Sequence, residues 1–314
     1  QAQGAALRAA ADGRREPHAA PPTAPHAEPG LPRARELAVA AALAVLAAVA
    51  LCWRVFLLGE VLVPADIVFE DPAWRSVAPP GFTRPQNPLL SDQIRLFYVL
   101  HDLVFRSLAQ DGELPLWNPY AFAGQPLVGN AQSALFFPPN LLLRWLPASA
   151  VAGLRALFLV IAGGVLAYLY GRRIGISHPG GCVVLLGFVL GGPFVVWLGF
   201  PLANVLICLP LLLWSAEGLV SGDRPVAWTV LAALGVGLAI VGGHPETAFH
   251  VVALFAVYAL ARTLTLGDRR SGRCSSCRSS TRCSRARRSP SGTTRWPRRR
   301  RSTMRRGCRR RRPA

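Results

Sequence analysis

The 314-residue sequence contains no lysine, a single methionine and few carboxylates. All 35 of its basic residues are arginines, against 16 acidic residues. Only 16% of the residues are charged while 52% are hydrophobic, with a mean hydropathy of +0.32, which argues against an ordinary water-soluble domain. The absence of lysine is typical of a G+C-rich coding sequence, so arginine abundance by itself indicates no function.

The excess of positive charge is confined to the C-terminal tail. Residues 269–314 contain 19 of the arginines and no carboxylate, so the rest of the chain is neutral overall. An Arg-rich tail can bind RNA or anionic lipid. Its loss of apolar periodicity directly after a hydrophobic segment instead favours a shifted reading frame. We therefore expect 267–314 to be a disordered, out-of-frame tail, and we expect no nucleic-acid partner.

Long uncharged runs predict membrane helices. Residues 37–53 carry no charge and the apolar stretch continues past Arg54, enough at ~1.5 Å per residue to cross a ~30 Å hydrocarbon core. The uncharged run 174–216 is too long for one crossing and predicts two. We expect an all-α integral membrane protein, with a disordered cytoplasmic tail 1–36 and a polytopic domain 37–266. The six predicted spans, with five as the alternative, are 37–58, 151–171, 181–200, 203–220, 226–243 and 247–261.

Arginines near the ends of the spans predict the orientation, because arginine is retained on the cytoplasmic side. All of them fall in alternate loops and therefore on one face of the membrane. The N-terminus is then cytoplasmic, and the outer face collects the long loop 60–150 and the turns at 200–204 and 242–247. We expect these three segments to converge. The arginines that define the cytoplasmic face are Arg33, Arg35, Arg172, Arg173, Arg224 and Arg262.

The loop 60–150 is far longer than an ordinary connection, and such loops are commonly functional. A helix along the membrane surface is predicted from Ser91 to about 109. Asp66 and Asp92 each follow an apolar stretch, and at the membrane surface either carboxylate can act as a general base on a hydroxyl. Either Asp can equally cap a helix or a turn.

The segment GGHPET, at 242–247, places His244 and Glu246 at the outer end of the fifth predicted span. The functional interpretation is that they contact a polar substrate that enters from outside. The structural alternative is that Pro245 breaks the chain, Glu246 lies at the N-terminus of the sixth span and His244 bonds a neighbouring loop.

The sequence predicts no metal centre and no cofactor. Four cysteines lie in the Arg-rich tail, where no helix or strand pattern would hold them around zinc. The sequence leaves open whether a divalent metal ion takes part in the function. The cysteines are Cys274, Cys277, Cys283 and Cys308.

Three motifs carry a family resemblance: LLSDQIRLFY at 89–98, GELPLWNPYAFAGQPLVGNAQSALFFPPNLL at 112–142, and GGHPET between two apolar helices. Together they resemble the YfhO-type bacterial membrane proteins, which belong with the polyprenyl-phosphate-dependent glycosyltransferases of the GT-C fold. The resemblance covers about 60–262 and corresponds to the N-terminal portion of such a protein.

The resemblance implies transfer of a sugar from a polyprenyl-phosphate donor to a cell-envelope glycan or polymer on the outer face of the bacterial inner membrane. At the matching positions it implies Asp92 as the catalytic carboxylate, with Asp66 in reserve. Arg95 and Arg155 are candidate phosphate ligands, although Arg155 can also extend toward the lipid headgroups. The remaining candidates for substrate binding are Gln93, Asn118, Asn130, His244 and Glu246.

The competing class is non-catalytic: a transporter or flippase component, or an assembly partner that binds the carrier lipid. A transporter is expected to show paired repeats and broken helices with polar residues at the membrane midplane. Here the polar groups collect on one face, which favours an enzyme. Gly191, Gly192 and Pro193 nevertheless predict a break in one helix.

Overall fold

The computed structural model describes residues 32–222 and 224–280, with side chains described as far as 265. The outer parts of the two predicted tails, 1–31 and 281–314, lie outside the described residues. The described chain is mostly helical. Its α-helices are α1 Ala34–Leu58, α2 Pro72–Arg75, α3 Tyr98–Arg106, α4 Pro138–Leu142, α5 Ala148–Arg173, α6 His178–Val189, α7 Gly192–Val196, α8 Pro201–Leu206, α9 Cys208–Ser221, α10 Pro225–Val241 and α11 Pro245–Ser280.

Shorter elements occupy the loop between α1 and α5. Wide π-helical turns, Gln93–Phe97 and Ser107–Asp111, extend α3 at its two ends. Two short strands, β1 Trp117–Asn118 and β2 Gln125–Pro126, pair antiparallel, and this small ladder departs from the all-α prediction. The 3₁₀ turns are Ala65–Glu70, Pro88–Leu90 and Ala131–Ser133.

Four helical segments are long and apolar enough to cross a membrane, which supports a multi-pass membrane protein. They correspond to the first, second, fourth and sixth predicted spans. The four segments are Ala34–Leu58, Ala148–Arg173, Pro201–Ser221 and Pro245–Thr265.

The other two predicted spans are shorter than expected. In the segment predicted at 181–200, one helix ends at Val189 and a second begins at Gly192. The break therefore lies where Gly191, Gly192 and Pro193 predict it. The segment predicted at 226–243 is the helix Pro225–Val241, of 17 residues. The described chain therefore has four helices of full crossing length and two shorter apolar helices, instead of six uninterrupted spans.

Small residues let the spanning helices approach closely. Ala44 on α1 is buried, and Gly164 on α5 leaves room for it, since a Cβ built at Gly164 would lie 3.4 Å from the Ala44 Cβ. Leu185 and Val189 of α6 fill the other side of the same glycine. Because lipid tails are as apolar as these side chains, close packing of small residues is what holds such helices together.

The predicted convergence of three loops is confirmed. A Cβ built at Gly243 would lie 2.7 Å from the Ala134 Cβ and 2.9 Å from the Pro201 Cβ, so the three segments touch. The buried Asn204 side chain joins two of them by donating to the carbonyl of Gly242 at 2.9 Å.

The arginines lie at the opposite end of the helices. Arg172 of α5 contacts Glu36 at the start of α1 at 3.2 Å. Arg173 reaches Ser221 at the end of α9, and Arg262 of α11 pairs with Glu217. The backbone of α11 continues to Ser280, beyond the boundary predicted at 266.

Candidate functional site

The helix predicted from Ser91 is present and ends at Asp111. We call residues 93–111, which comprise α3 and the π-helical turn at each of its ends, the loop helix, because they lie in the long loop and not in a span. The buried side chains of this helix, Gln93, Phe97, Leu100 and Val104, recur every three or four residues and form one face. Phe97 packs edge-on against Phe200, so this face of the loop helix rests on the turn that precedes α8.

A buried arginine fastens the loop helix to α5. Arg155 is almost fully buried, and its Nη1 lies 2.7 Å from Nε2 of His101 on the loop helix. Its Nη2 donates to the carbonyl of Gly199 at 2.9 Å, while its Nε is buried without a partner in the described chain. The alternative in which Arg155 extends toward the headgroups is therefore wrong, because its guanidinium points into the protein.

His101 is held in its neutral form by burial and by the neighbouring Arg155. Burial, followed by the charge of Arg155, lowers the pKa of His101 to about 3. A neutral imidazole has one nitrogen that accepts, so Nε2 receives the Arg155 N–H and the proton resides on Nδ1. We call Gln93, His101, Arg155 and Gly199 the buried polar cluster.

The buried polar cluster is closed to a large ligand. The cavity between these residues measures about 10 Å³, which is space for about one water molecule. Gln93 lies directly on Gly199, since a Cβ built there would be 1.9 Å from the Gln93 Nε2. Arg155 therefore positions the loop helix in this structure and is not open to a phosphate.

An open groove of about 710 Å³ lies beside the cluster and shares Gln93 with it. Asp66, the reserve catalytic carboxylate, lines this groove, and its Oδ2 accepts the Gln86 N–H at 2.8 Å. Arg54, at the end of α1, enters the groove and pairs with Glu60 at 2.7 Å. We call this space the Asp66 groove; it combines the carboxylates of Asp66 and Glu60 with one arginine and several amide side chains.

Asp92 precedes Gln93 and is exposed. Its side chain caps no helix and makes no hydrogen bond or ion pair within residues 32–222 and 224–265. The alternative in which Asp92 caps a helix is therefore not supported. The Asp92 side chain also does not line the Asp66 groove. Arg95, predicted to bind phosphate, lies 3.2 Å from Asp71 and 3.7 Å from Glu70, so local carboxylates already engage it.

The other predicted site residues have local structural contacts. Asn118 and Asn130 each accept a backbone N–H two residues further on, which is how Asn stabilises a turn. His244 accepts the N–H of Thr247 at 3.2 Å and so caps α11 rather than bonding a neighbouring loop. Glu246 is exposed in the first turn of α11, as the structural alternative predicts.

Sequence reasoning missed His101 and Arg54. His101 stands eight residues after Gln93 with Phe97 midway, and this i, i+4, i+8 spacing places all three on one face of a helix. That spacing was the available signal for His101. Arg54 interrupts the first apolar run near its end, and an arginine at that depth reaches toward the membrane surface.

Comparisons with protein-family models, with curated proteins and with solved structures find no match to this chain. Within the described side chains, no group of three or more His, Cys, Asp or Glu residues is arranged to hold a metal ion.

Proposed function

We propose that this protein transfers a sugar from a polyprenyl-phosphate donor to a cell-envelope acceptor at the outer face of the bacterial inner membrane, with its N-terminus in the cytoplasm. The proposal includes a GT-C-like arrangement of six crossings. The broken pair α6 and α7, from 178 to 196, and α10 each extend ~25–30 Å at ~1.5 Å per residue, close to the ~30 Å of a hydrocarbon core. Together with the four longer segments, they would make six crossings.

The observation that carries the proposal is the exposed, unengaged carboxylate of Asp92, which directly precedes Gln93 of the groove that holds Asp66 and Arg54. In sugar transfer, the acceptor hydroxyl gives its proton to a carboxylate while its oxygen bonds to the anomeric carbon. The bond from that carbon to the phosphate oxygen breaks, and the lipid phosphate leaves with the electron pair. Asp92 takes the proton in this scheme. Arg54 exchanges its exposed pairing with Glu60 for the departing phosphate and balances the charge there.

Asp66 is the second candidate for the base, because one of its oxygens is engaged by Gln86 and the other is not. The buried polar cluster keeps Gln93, and with it the start of the loop helix, in place beside the groove. Neutral His101 and charged Arg155 have a positioning role here, not a chemical one.

The test is sugar transfer from a polyprenyl-phosphate donor in membranes that contain the protein. Asp92→Asn keeps size and most hydrogen bonding but removes the base, so transfer should fall by roughly 10² to 10⁴ at unchanged expression. Asp71→Asn is the matched control, since it removes a carboxylate of the same loop that only pairs with Arg95. Full activity of Asp92→Asn with loss in Asp66→Asn would move the base to Asp66.

A non-catalytic role is the second candidate, as a transporter or flippase component or as a partner that binds the carrier lipid. The break between α6 and α7 favours it, because interrupted helices line the substrate sites of many transporters. Binding or translocation of a labelled polyprenyl phosphate by wild-type protein that transfers no sugar would establish this alternative.

A further inference from the structure

A small hairpin in the long loop displays aromatic side chains to solvent. Strands β1 and β2 bring Trp117 opposite Pro126, and we call 117–126 the aromatic hairpin. Trp117 is 55% exposed, Tyr120 is 84% exposed and Phe122 is 87% exposed. Burial of such rings would stabilise the fold, so their display in a preformed turn needs another explanation.

The hairpin is held in a strained conformation. Phe122 and Ala123 have φ of 54° and 57°, a left-handed region that side-chain-bearing residues rarely adopt. The Trp117 ring packs over Gly124, where a Cβ would lie 2.6 Å from the indole nitrogen. Asn118 fixes the next turn by accepting the Tyr120 N–H at 2.9 Å. Strain of this kind is retained where a local shape has a function.

A groove runs between the aromatic hairpin and the loop helix. Its volume of about 580 Å³ lies within the ~300–1,000 Å³ range of ligand sites. Two aromatic rings line one wall, and hydrogen-bonding side chains of the loop helix line the other. We call this space the hairpin groove. The side chains that line it include Asp102, Arg106, Gln110, Asp111, Trp117 and Tyr120.

The charges in the hairpin groove are nearly balanced. Arg106 pairs with Asp102 at 2.9 Å, which leaves the exposed Asp111 as the uncompensated charge. A phosphate or nucleic acid would meet a net negative wall, so the groove disfavours an anionic ligand. A lipid tail would leave the Asp111 carboxylate and the Gln110 amide without partners.

We propose that the hairpin groove binds a neutral or cationic saccharide, with a sugar ring stacked on Trp117 or Tyr120 and its hydroxyls bonded to Gln110, Asp111 and Asp102. Sugar rings present an apolar C–H face and a rim of hydroxyls, which matches one aromatic and one polar wall. That this saccharide belongs to the acceptor polymer rests on the proposed function; the binding itself does not.

The test is direct binding of the detergent-purified protein to an array of neutral and amino-sugar oligosaccharides from bacterial cell envelopes. Trp117→Ala should weaken binding about tenfold, as expected for loss of one stacked ring worth about 1.4 kcal/mol. Tyr120→Ala, at a position too exposed to support the fold, should weaken binding several-fold. Trp74→Ala is the matched control: Trp74 is 56% exposed in the same loop but does not line the groove.

Absence of binding to every oligosaccharide, or equal losses in Trp117→Ala and Trp74→Ala, would overturn the proposal. Quenching of wild-type fluorescence by brominated lipids that is lost in Trp117→Ala, without saccharide binding, would show instead that the hairpin inserts into the membrane. If saccharides bind through Trp117 but no sugar is transferred, only the proposed function fails. If transfer occurs and Trp117→Ala leaves the acceptor KM unchanged, only the saccharide site fails.

Discussion

An asymmetric ion pair at the arginine-bearing end should determine whether α11 stays packed against the other helices. The Glu217 side chain is 7% exposed and that of Arg262 is 37% exposed. Arg262 donates from Nε at 2.5 Å and from Nη2 at 2.9 Å, and the Tyr258 hydroxyl donates to the same carboxylate. Only 11% of the apolar stretch of α11 is buried, so this network is a large part of its attachment.

The unequal burial predicts unequal costs. Arg262→Met leaves a buried carboxylate without its cation, which typically costs about 3–5 kcal/mol of unfolding free energy. Glu217→Gln leaves an arginine that is already partly exposed and can extend to the headgroups. Its cost should be close to that of lost interhelical hydrogen bonds, about 1–2 kcal/mol. Arg262→Met should therefore be the more damaging change.

Removal of both charges should cost less than removal of the arginine alone. When Glu217→Gln is combined with Arg262→Met, no charge remains buried, so the penalty of an unpaired buried carboxylate disappears. This non-additivity separates a buried pair from two independent surface charges.

The measurement is thermal unfolding of the purified protein in a mild detergent, compared at equal protein and detergent concentrations. Arg224→Met is the control, because Arg224 is an exposed arginine at the same end of the helices. Equal losses in the two single variants, or a double variant that loses their sum, would refute the argument from burial.

Two further predictions concern the long loop and the orientation of the chain in the membrane. Acidification from pH 6.5 to 5 should lower the unfolding free energy by about 1.6 kcal/mol, because unfolded histidine binds a proton near 6.5 while native His101, whose pKa is about 3, does not. His101→Gln should abolish this slope, and a slope that persists in this variant would assign the effect to another group. Cysteine placed as Asp92→Cys should react with an impermeant maleimide in intact cells and Arg224→Cys should not, and the reverse pattern would invert the proposed orientation.

Much of the helical architecture follows from composition along the chain. Uncharged runs predicted α1, α5, α9 and the first part of α11, because a crossing length of apolar sequence has few other stable conformations. The glycines and proline at 191–193 predicted the break between α6 and α7. The 117–126 ladder escaped prediction, because two-residue strands have no periodicity to detect.

The candidate site was predictable only in part, since its contacts join residues far apart in sequence. Asp66 and Gln93 were expected at a site and share one groove, but Arg95 is engaged by Asp71, a pairing across 24 residues that no local pattern reveals. Arg155 and His101 are 54 residues apart, and only the packed structure shows that burial, together with Arg155, keeps His101 neutral.

The polar groups in and around the long loop are of two kinds. Arg155 and His101 lie around a cavity too small for substrate, so their hydrogen bonds serve to fix the loop helix against α5. Asp92 is exposed at the start of that fixed helix, and Asp66 and Arg54 line the adjoining open groove. Because reactive groups need a rigid support to keep their geometry, loss of Arg155 should impair function through the position of the loop helix rather than through lost charge at the substrate.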